Sequence, residues 1–141
     1  MKFYIGASFK NSNLVNHISK HLIEKGHIHT YNWTNEIIEE ETEELLKKFT
    51  ELEMKGINDA DTVIIILPAG RGSHVELGLA LAYNKKVYLY SESGIEFDVK
   101  DTVNFYYAPN VKQIVASPDE LINQVLKECE CSKKKTRKIT K

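Results

Sequence analysis

The sequence predicts an α/β domain of the doubly wound, flavodoxin- or Rossmann-like kind, built on one five-stranded parallel sheet. Strand-like and helix-like segments alternate four times along the chain, as in βαβ units that place helices on both faces of a parallel sheet. The run Thr62-Val63-Ile64-Ile65-Ile66-Leu67 is continuous and β-branched, which suits a strand buried on both faces. The 141 residues, 42% hydrophobic and 28% charged, amount to one domain of ordinary globular composition.

Lys2-Phe3-Tyr4-Ile5-Gly6 reads as the first strand, ending at a glycine. From Asn11 or Ser12 the apolar residues Leu14, Val15, Ile18, Leu22 and Ile23 recur at helical spacing, and Gly26 closes the helix. His27 to Tyr31 alternates as a second strand. An acidic helix is expected from about Glu36 to Gly56, with Leu45, Leu46, Phe49, Leu52 and Met54 as its apolar positions. The third strand, Thr62 to Leu67, leads through Ala69-Gly70-Arg71-Gly72 into a helix from about Ser73 to Asn84. Lys86 to Tyr90 and Val111 to Val115 are the fourth and fifth strands. Pro118 opens the last helix, to about Glu128, with Ser117 as its cap. Residues 1–131 are read as the domain and residues 132–141 as a basic, disordered tail, rich in lysine.

Composition removes several classes of function. Nineteen basic against twenty acidic residues leave a formal charge of -1, which argues against binding nucleic acid by bulk charge. No apolar run approaches the roughly 20 residues of a membrane helix, so no membrane partner is expected. The run Phe3 to Ala7 falls far short of the apolar core of a signal peptide. Cys129 and Cys131 are too few for a disulfide framework, and a reducing, cytoplasmic location is expected. His17 and His21 lie four residues apart on a helix, but no carboxylate or cysteine stands at metal-site spacing beside them. No metal and no cofactor are expected.

In doubly wound sheets ligands bind beyond the carboxyl ends of the strands, at the switch point. That rule brings together the loops after the first and third strands, Gly6 to Asn11 and Pro68 to Glu76. Gly70 and Gly72, on either side of Arg71, permit close backbone approach to a ligand, and the helix beyond them presents free N–H groups. The pattern is neither a Walker loop nor a dinucleotide fingerprint. Ser73-x-x-Glu76 fits a capping box, in which Ser73 caps the helix and Glu76 reaches back to the Ser73 amide. Gly78 inside the helix costs about 1 kcal/mol relative to alanine and points to a neighbour or ligand close to that turn. Trp33 and Tyr31 follow the second strand and suit either base stacking or core packing. Asp59 and Asp61 lie at the opposite end of the sheet and suit turn and strand-start roles.

Gly6-Ala7-Ser8-Phe9, Gly56-Ile57-Asn58-Asp59-Ala60-Asp61 and Gly70-Arg71-Gly72-Ser73-His74-Val75-Glu76-Leu77-Gly78-Leu79-Ala80-Leu81-Ala82 resemble, in order and spacing, the nucleoside 2-deoxyribosyltransferase family and its relatives, the nucleoside 5'-monophosphate N-glycosidases. The resemblance spans roughly residues 2–126. It implies that Glu76 is the nucleophile at the anomeric carbon, that Glu53 stands in the slot of the acid that protonates the departing base, and that Tyr4 supports the glutamate or the sugar. The family usually has Asp where Glu53 stands. Gly6, Ser8, Gly70, Arg71, Gly72, Ser73 and His74 become the expected substrate contacts. Asn104, in the long connection with Phe105 and Tyr106, is expected to reach a neighbouring subunit's site in a homo-oligomer. The first loop lacks the Gly-Ser-x-Arg arrangement of the monophosphate enzymes, and Gly70 occupies a slot where the transferases often carry aspartate.

The resemblance implies a substrate that is a nucleoside or nucleotide, with a free base as partner. Transfer of deoxyribose between bases is the leading expectation. Hydrolysis of a nucleoside 5'-monophosphate is the alternative, and NAD cleavage or a non-catalytic nucleotide sensor stands behind both.

Overall fold

A computed structural model describes residues 1–139. Its five strands are β1 (Lys2–Gly6), β2 (Ile28–His29), β3 (Thr62–Ile66), β4 (Lys86–Ser91) and β5 (Val111–Val115). They form one parallel sheet in the order β2-β1-β3-β4-β5. Four helices connect them: α1 (Ser12–Glu24), α2 (Glu43–Asp59), α3 (Arg71–Ala82) and α4 (Pro118–Ile139). Helix α1 packs beside α4, and α2 beside α3. The expected doubly wound α/β sheet is therefore the architecture observed. The strand order reverses between β1 and β3, which makes their carboxyl ends the switch point.

The central strands form because their side chains have nowhere polar to point. All five residues of β3 are buried, as are Phe3 to Gly6 of β1. Strand β2 is shorter than its alternating sequence suggests. It is an edge strand of two residues, beyond which Thr30 turns to donate its hydroxyl to Gly56 O at 2.6 Å.

Helix α2 begins at Glu43, later than expected. Thr42 is its cap, accepting the Leu45 N–H at 3.2 Å, and Glu43 and Glu44 sit at the positive end of the helix dipole. Residues 36–41 stay outside the helix, preceded by a single 3-10 turn at Trp33–Asn35. Nor does Gly56 end α2, which continues to Asp59. A Cβ on Gly56 would lie 2.8 Å from Tyr31 Cβ and 3.1 Å from the Tyr4 ring. Glycine is needed there so that the helix can lie against both tyrosines.

Asp59 pairs with Lys55, and Asp61 accepts the Lys2 N–H at 3.0 Å, so both serve structure at the amino end of the sheet. His17 meets Asp119 at 3.1 Å and His21 donates to its carbonyl at 2.9 Å, a surface pair tying α1 to α4. Ser117 caps α4 as expected, accepting the Glu120 N–H. The helix then continues past Glu128 through the segment expected to be disordered, as far as Ile139. Thr140 and Lys141, the end of that expected tail, lie outside the described residues.

Candidate active site

The loops after β1 and β3 meet beyond the carboxyl ends of the strands. A Cβ on Gly70 would stand 3.9 Å from Ser8 Cβ. Between these loops, the segment that precedes α2 and the middle of α2 lies a cleft of about 420 Å³, lined by Ser8, Phe9, Arg71, Gly72 and Ser73 from the loops and by Trp33, Glu36 and Glu53 from the rest. Glu76 also lines it. A larger hollow of about 590 Å³ lies at the amino ends of the strands, beside Asp61, Lys86 and α4. That is the wrong end of the sheet for the ligand of a doubly wound fold.

The local chain explains why the Glu76 carboxyl is free. Helix α3 starts two residues earlier than expected, at Arg71, with Gly70 in extended conformation as its N-cap. Ser73 is therefore inside the first turn, not at the cap, and the Ser73–Glu76 capping box does not form. Gly70 has no side chain to close the helix end, which leaves the first amides of α3 facing the cleft. Gly6 supplies the space beneath the acid. A Cβ there would lie 2.7 Å from Ile65 Cδ1 and 3.4 Å from Glu76 Oε2.

Glu76 Oε2 and the Tyr4 hydroxyl are buried polar atoms that no third group satisfies, and the two groups bear on each other. Burial holds the Glu76 carboxyl far above the usual carboxylate range, at about 8. The nearby Tyr4 hydroxyl works in the opposite direction, and the charges of Glu53 and Glu36 add to the rise. Glu53 is pushed up to about 6, first by burial and then by Glu36. Tyr4 is raised as well, chiefly by burial and then by the charge of Glu76. Three carboxyl groups thus share one cleft, with Glu76 strongly resisting ionisation and Glu53 resisting it less.

The structure brings together Glu76, Glu53, Ser8, Gly70, Arg71, Gly72 and Ser73, with Tyr4 and Gly6 directly beneath. It does not bring His74 into the cleft. His74 Nδ1 donates to Gly70 O at 2.8 Å, so in the neutral ring Nε2 accepts from the Tyr106 hydroxyl at 2.7 Å. The residue fastens the 3-10 turn Asn104–Tyr107 to α3. Asn104 is exposed on that turn and does not line the cleft.

Sequence reasoning missed Glu36. Its carboxylate accepts from the Tyr31 hydroxyl and lines the cleft beside Glu53. The available signal was a tyrosine five residues before an acid, with a tryptophan between them, at the end of a strand. Trp33 packs at the cleft wall, its indole N–H donating to Ile5 O at 2.8 Å. Its ring lies 6.4 Å from that of Phe9. Among the described residues, no group of three or more His, Cys, Asp or Glu is placed to hold a metal ion.

Acid groups gathered at the switch point of a doubly wound sheet define a small-molecule enzyme of the α/β class. The chain belongs to the nucleoside 2-deoxyribosyltransferase family, whose model matches residues 3–124. It is an enzyme of the N-glycosyl transferase and N-glycosidase group. Among solved structures, the CMP N-glycosidase of Clostridium botulinum is similar at 19% identity and a TM-score of 0.63, covering 89% of this chain and 98% of that one. A 2-deoxyribosyltransferase of Bacillus psychrosaccharolyticus is similar at 22% identity and a TM-score of 0.59, covering 87% and 91%. At these identities the likeness is one of fold. No curated protein matches the chain.

Proposed function

We propose that the enzyme cleaves the N-glycosidic bond of a deoxynucleoside through a covalent glycosyl ester on Glu76, and passes the sugar to a second base. The observation that carries this reading is the buried Oε2 of Glu76 at the cleft. In the first step that oxygen attacks the anomeric carbon as the C–N bond breaks. The electron pair leaves with the base, and Glu53 supplies a proton to the departing ring nitrogen. In the second step a nitrogen of the incoming base attacks the same carbon, the ester bond breaks, and Glu53 takes up the proton released. Tyr4 keeps Glu76 oriented from below.

Charge favours a nucleoside over its 5'-monophosphate. Among the described residues Arg71 is the one cation lining the cleft, and Glu36 and Glu53 stand against it, with Glu76 held largely uncharged by burial. A second reading, nucleotide hydrolysis, has its own support. The N-terminus of α3, which no side chain caps, with Arg71, Ser73 and Ser8 beside it, suits a phosphate. The purified protein, given deoxyinosine or deoxycytidine with free adenine, beside the matching 5'-monophosphates, is expected to form deoxyadenosine, read by chromatography. Free base from the monophosphate alone would replace the transferase reading with the hydrolase. No turnover of either would remove both.

The same reading has the enzyme acting as a homo-oligomer. On the outer face of α3, Val75 is 65% exposed and the space beside Gly78 is open within the chain, while Phe105 is 60% exposed on the turn that His74 holds. An apolar helix face with a glycine suits close packing of a second copy. Light scattering at micromolar concentration is expected to give at least twice the chain mass, and a monomer mass would remove this part of the proposal. A role in nucleoside salvage and a cytoplasmic location complete the reading. The free thiols Cys129 and Cys131 fit a reducing compartment. Among the described residues no helix is long and apolar enough to cross a membrane.

A further inference from the structure

The geometry points to Glu36 as the residue that selects the base, by accepting a hydrogen bond from an exocyclic amino group. The inference rests on the cleft binding a nucleoside, as proposed above, and adds which nucleosides it prefers. Glu36 sits on the segment between the 3-10 turn and α2, outside any helix. Nothing in that segment's backbone would fix its side chain. Tyr31 does, by donating its hydroxyl to Oε1. Tyr31 is in turn set by its fit against Gly56, where no Cβ could be accommodated. The carboxylate is therefore anchored through one oxygen, and the other remains to meet a ligand.

Position decides what that ligand part is. Glu36 shares the cleft wall with Trp33 and Phe9, whose rings offer the apolar surface on which a planar base lies. Its charge acts on both Glu53 and Glu76, so it stands near the two acids that the reaction uses. An ionised carboxylate only accepts hydrogen bonds. Facing the edge of a base, it is satisfied by an amino group and repelled by a carbonyl oxygen. Cytosine and adenine present an amino group where uracil and hypoxanthine present oxygen. Glu36 thus favours the amino member of each pair, and Tyr31 is the positioning residue behind it.

Binding reads this selection independently of turnover. Calorimetry on the intact Glu76→Gln protein is expected to give deoxycytidine about tenfold tighter binding than deoxyuridine, the worth of one good hydrogen bond. Adding Glu36→Gln should bring the ratio below about twofold, chiefly by improving deoxyuridine, because an amide presents either a donor or an acceptor. A merely structural role for Glu36 would weaken both ligands together. Tyr31→Phe should reduce the preference while leaving it measurable. Equal affinities in the Glu76→Gln parent, or a preference that survives Glu36→Gln, would overturn the inference. Turnover of both nucleosides by the wild-type protein, with equal affinities in the Glu76→Gln variant, would remove this inference and keep the transferase reading. A protein that binds with the stated preference and turns over neither loses the transferase reading alone.

Discussion

Replacing Glu76 with glutamine is expected to lower kcat for sugar transfer by about a thousandfold or more, while making the folded protein less sensitive to alkaline pH. The first effect follows from the proposed chemistry, because an amide cannot form the glycosyl ester and losing a nucleophile removes the whole covalent route. The second follows from burial. The Glu76 carboxyl titrates at about 8 in the folded protein against an ordinary 4.5. Between those values the native state binds more protons than the unfolded state, so stability falls as pH rises from 4.5 to 8. By pH 8 the accumulated loss is on the order of 4 kcal/mol. Glutamine does not ionise and avoids that loss. Its amide still leaves a buried polar group unpaired, at a cost of about 1–3 kcal/mol that does not vary with pH. Urea midpoints of the two proteins at pH 5 and pH 8.5 separate the contributions. The gap should move in favour of the variant as pH rises. Parallel pH dependence in both proteins would mean that Glu76 is solvated, and the argument from its burial would fail with it.

That tension between stability and function also bears on what the sequence could disclose. Strand β3 was legible because five consecutive buried positions require five apolar or small side chains, and Thr62 to Ile66 supplies them. The parallel sheet followed from the alternation of elements, and the meeting of the loops after β1 and β3 from the switch-point rule. Strand β2 was less legible, since an edge strand of two residues leaves little periodicity to read. The start of α3 was misplaced for a specific reason. Gly70 caps the helix by backbone conformation alone, whereas Ser73, three residues before a glutamate, displayed the conventional side-chain signal. Shifting the helix start by two residues frees the Glu76 carboxyl from the cap and leaves it to the cleft.

The site divides in the same way. Gly6, Ser8, Arg71 and Glu76 could be placed at one end of the sheet because the two switch-point loops are located by the strand ends. Glu53 could be named only through resemblance, since its local pattern is that of any acidic residue on an amphipathic helix. His74 lies in the right loop, but its ring is drawn away by Tyr106, 32 residues downstream, and no local pattern carries that information. Glu36 was hidden inside an acidic run that reads as helix. What sets it apart is the Tyr31 hydroxyl, a contact across the turn at Trp33 that only the folded chain makes.

The pH dependence of kcat/KM is expected to be bell-shaped, with limbs near 6 and near 8, and the two values belong to the Glu53–Glu76 pair as a unit. Transfer needs one proton on the pair, carried by Glu53, while Glu76 is ionised. Below about 6 the pair gains a second proton and the nucleophile is lost. Above about 8 it loses its only proton and the departing base has no donor. Burial of Glu76 places most of the single proton on the wrong partner in the free enzyme, so the reactive form is a minor one that the developing positive charge of the sugar draws out. Glu53→Gln changes the shape as well as the height. The rate should fall about a hundredfold or more. Its alkaline limb should disappear, because no proton remains to be lost above the Glu76 ionisation. The acid limb then reports Glu76 alone, below its value of about 8 in the intact site, since the charge of Glu53 contributes to that rise. A donor whose leaving group departs without protonation should recover much of the lost rate in this variant. Persistence of the alkaline limb in Glu53→Gln would assign the proton to another group in the cleft, where Glu36 is the remaining carboxyl among the described lining residues.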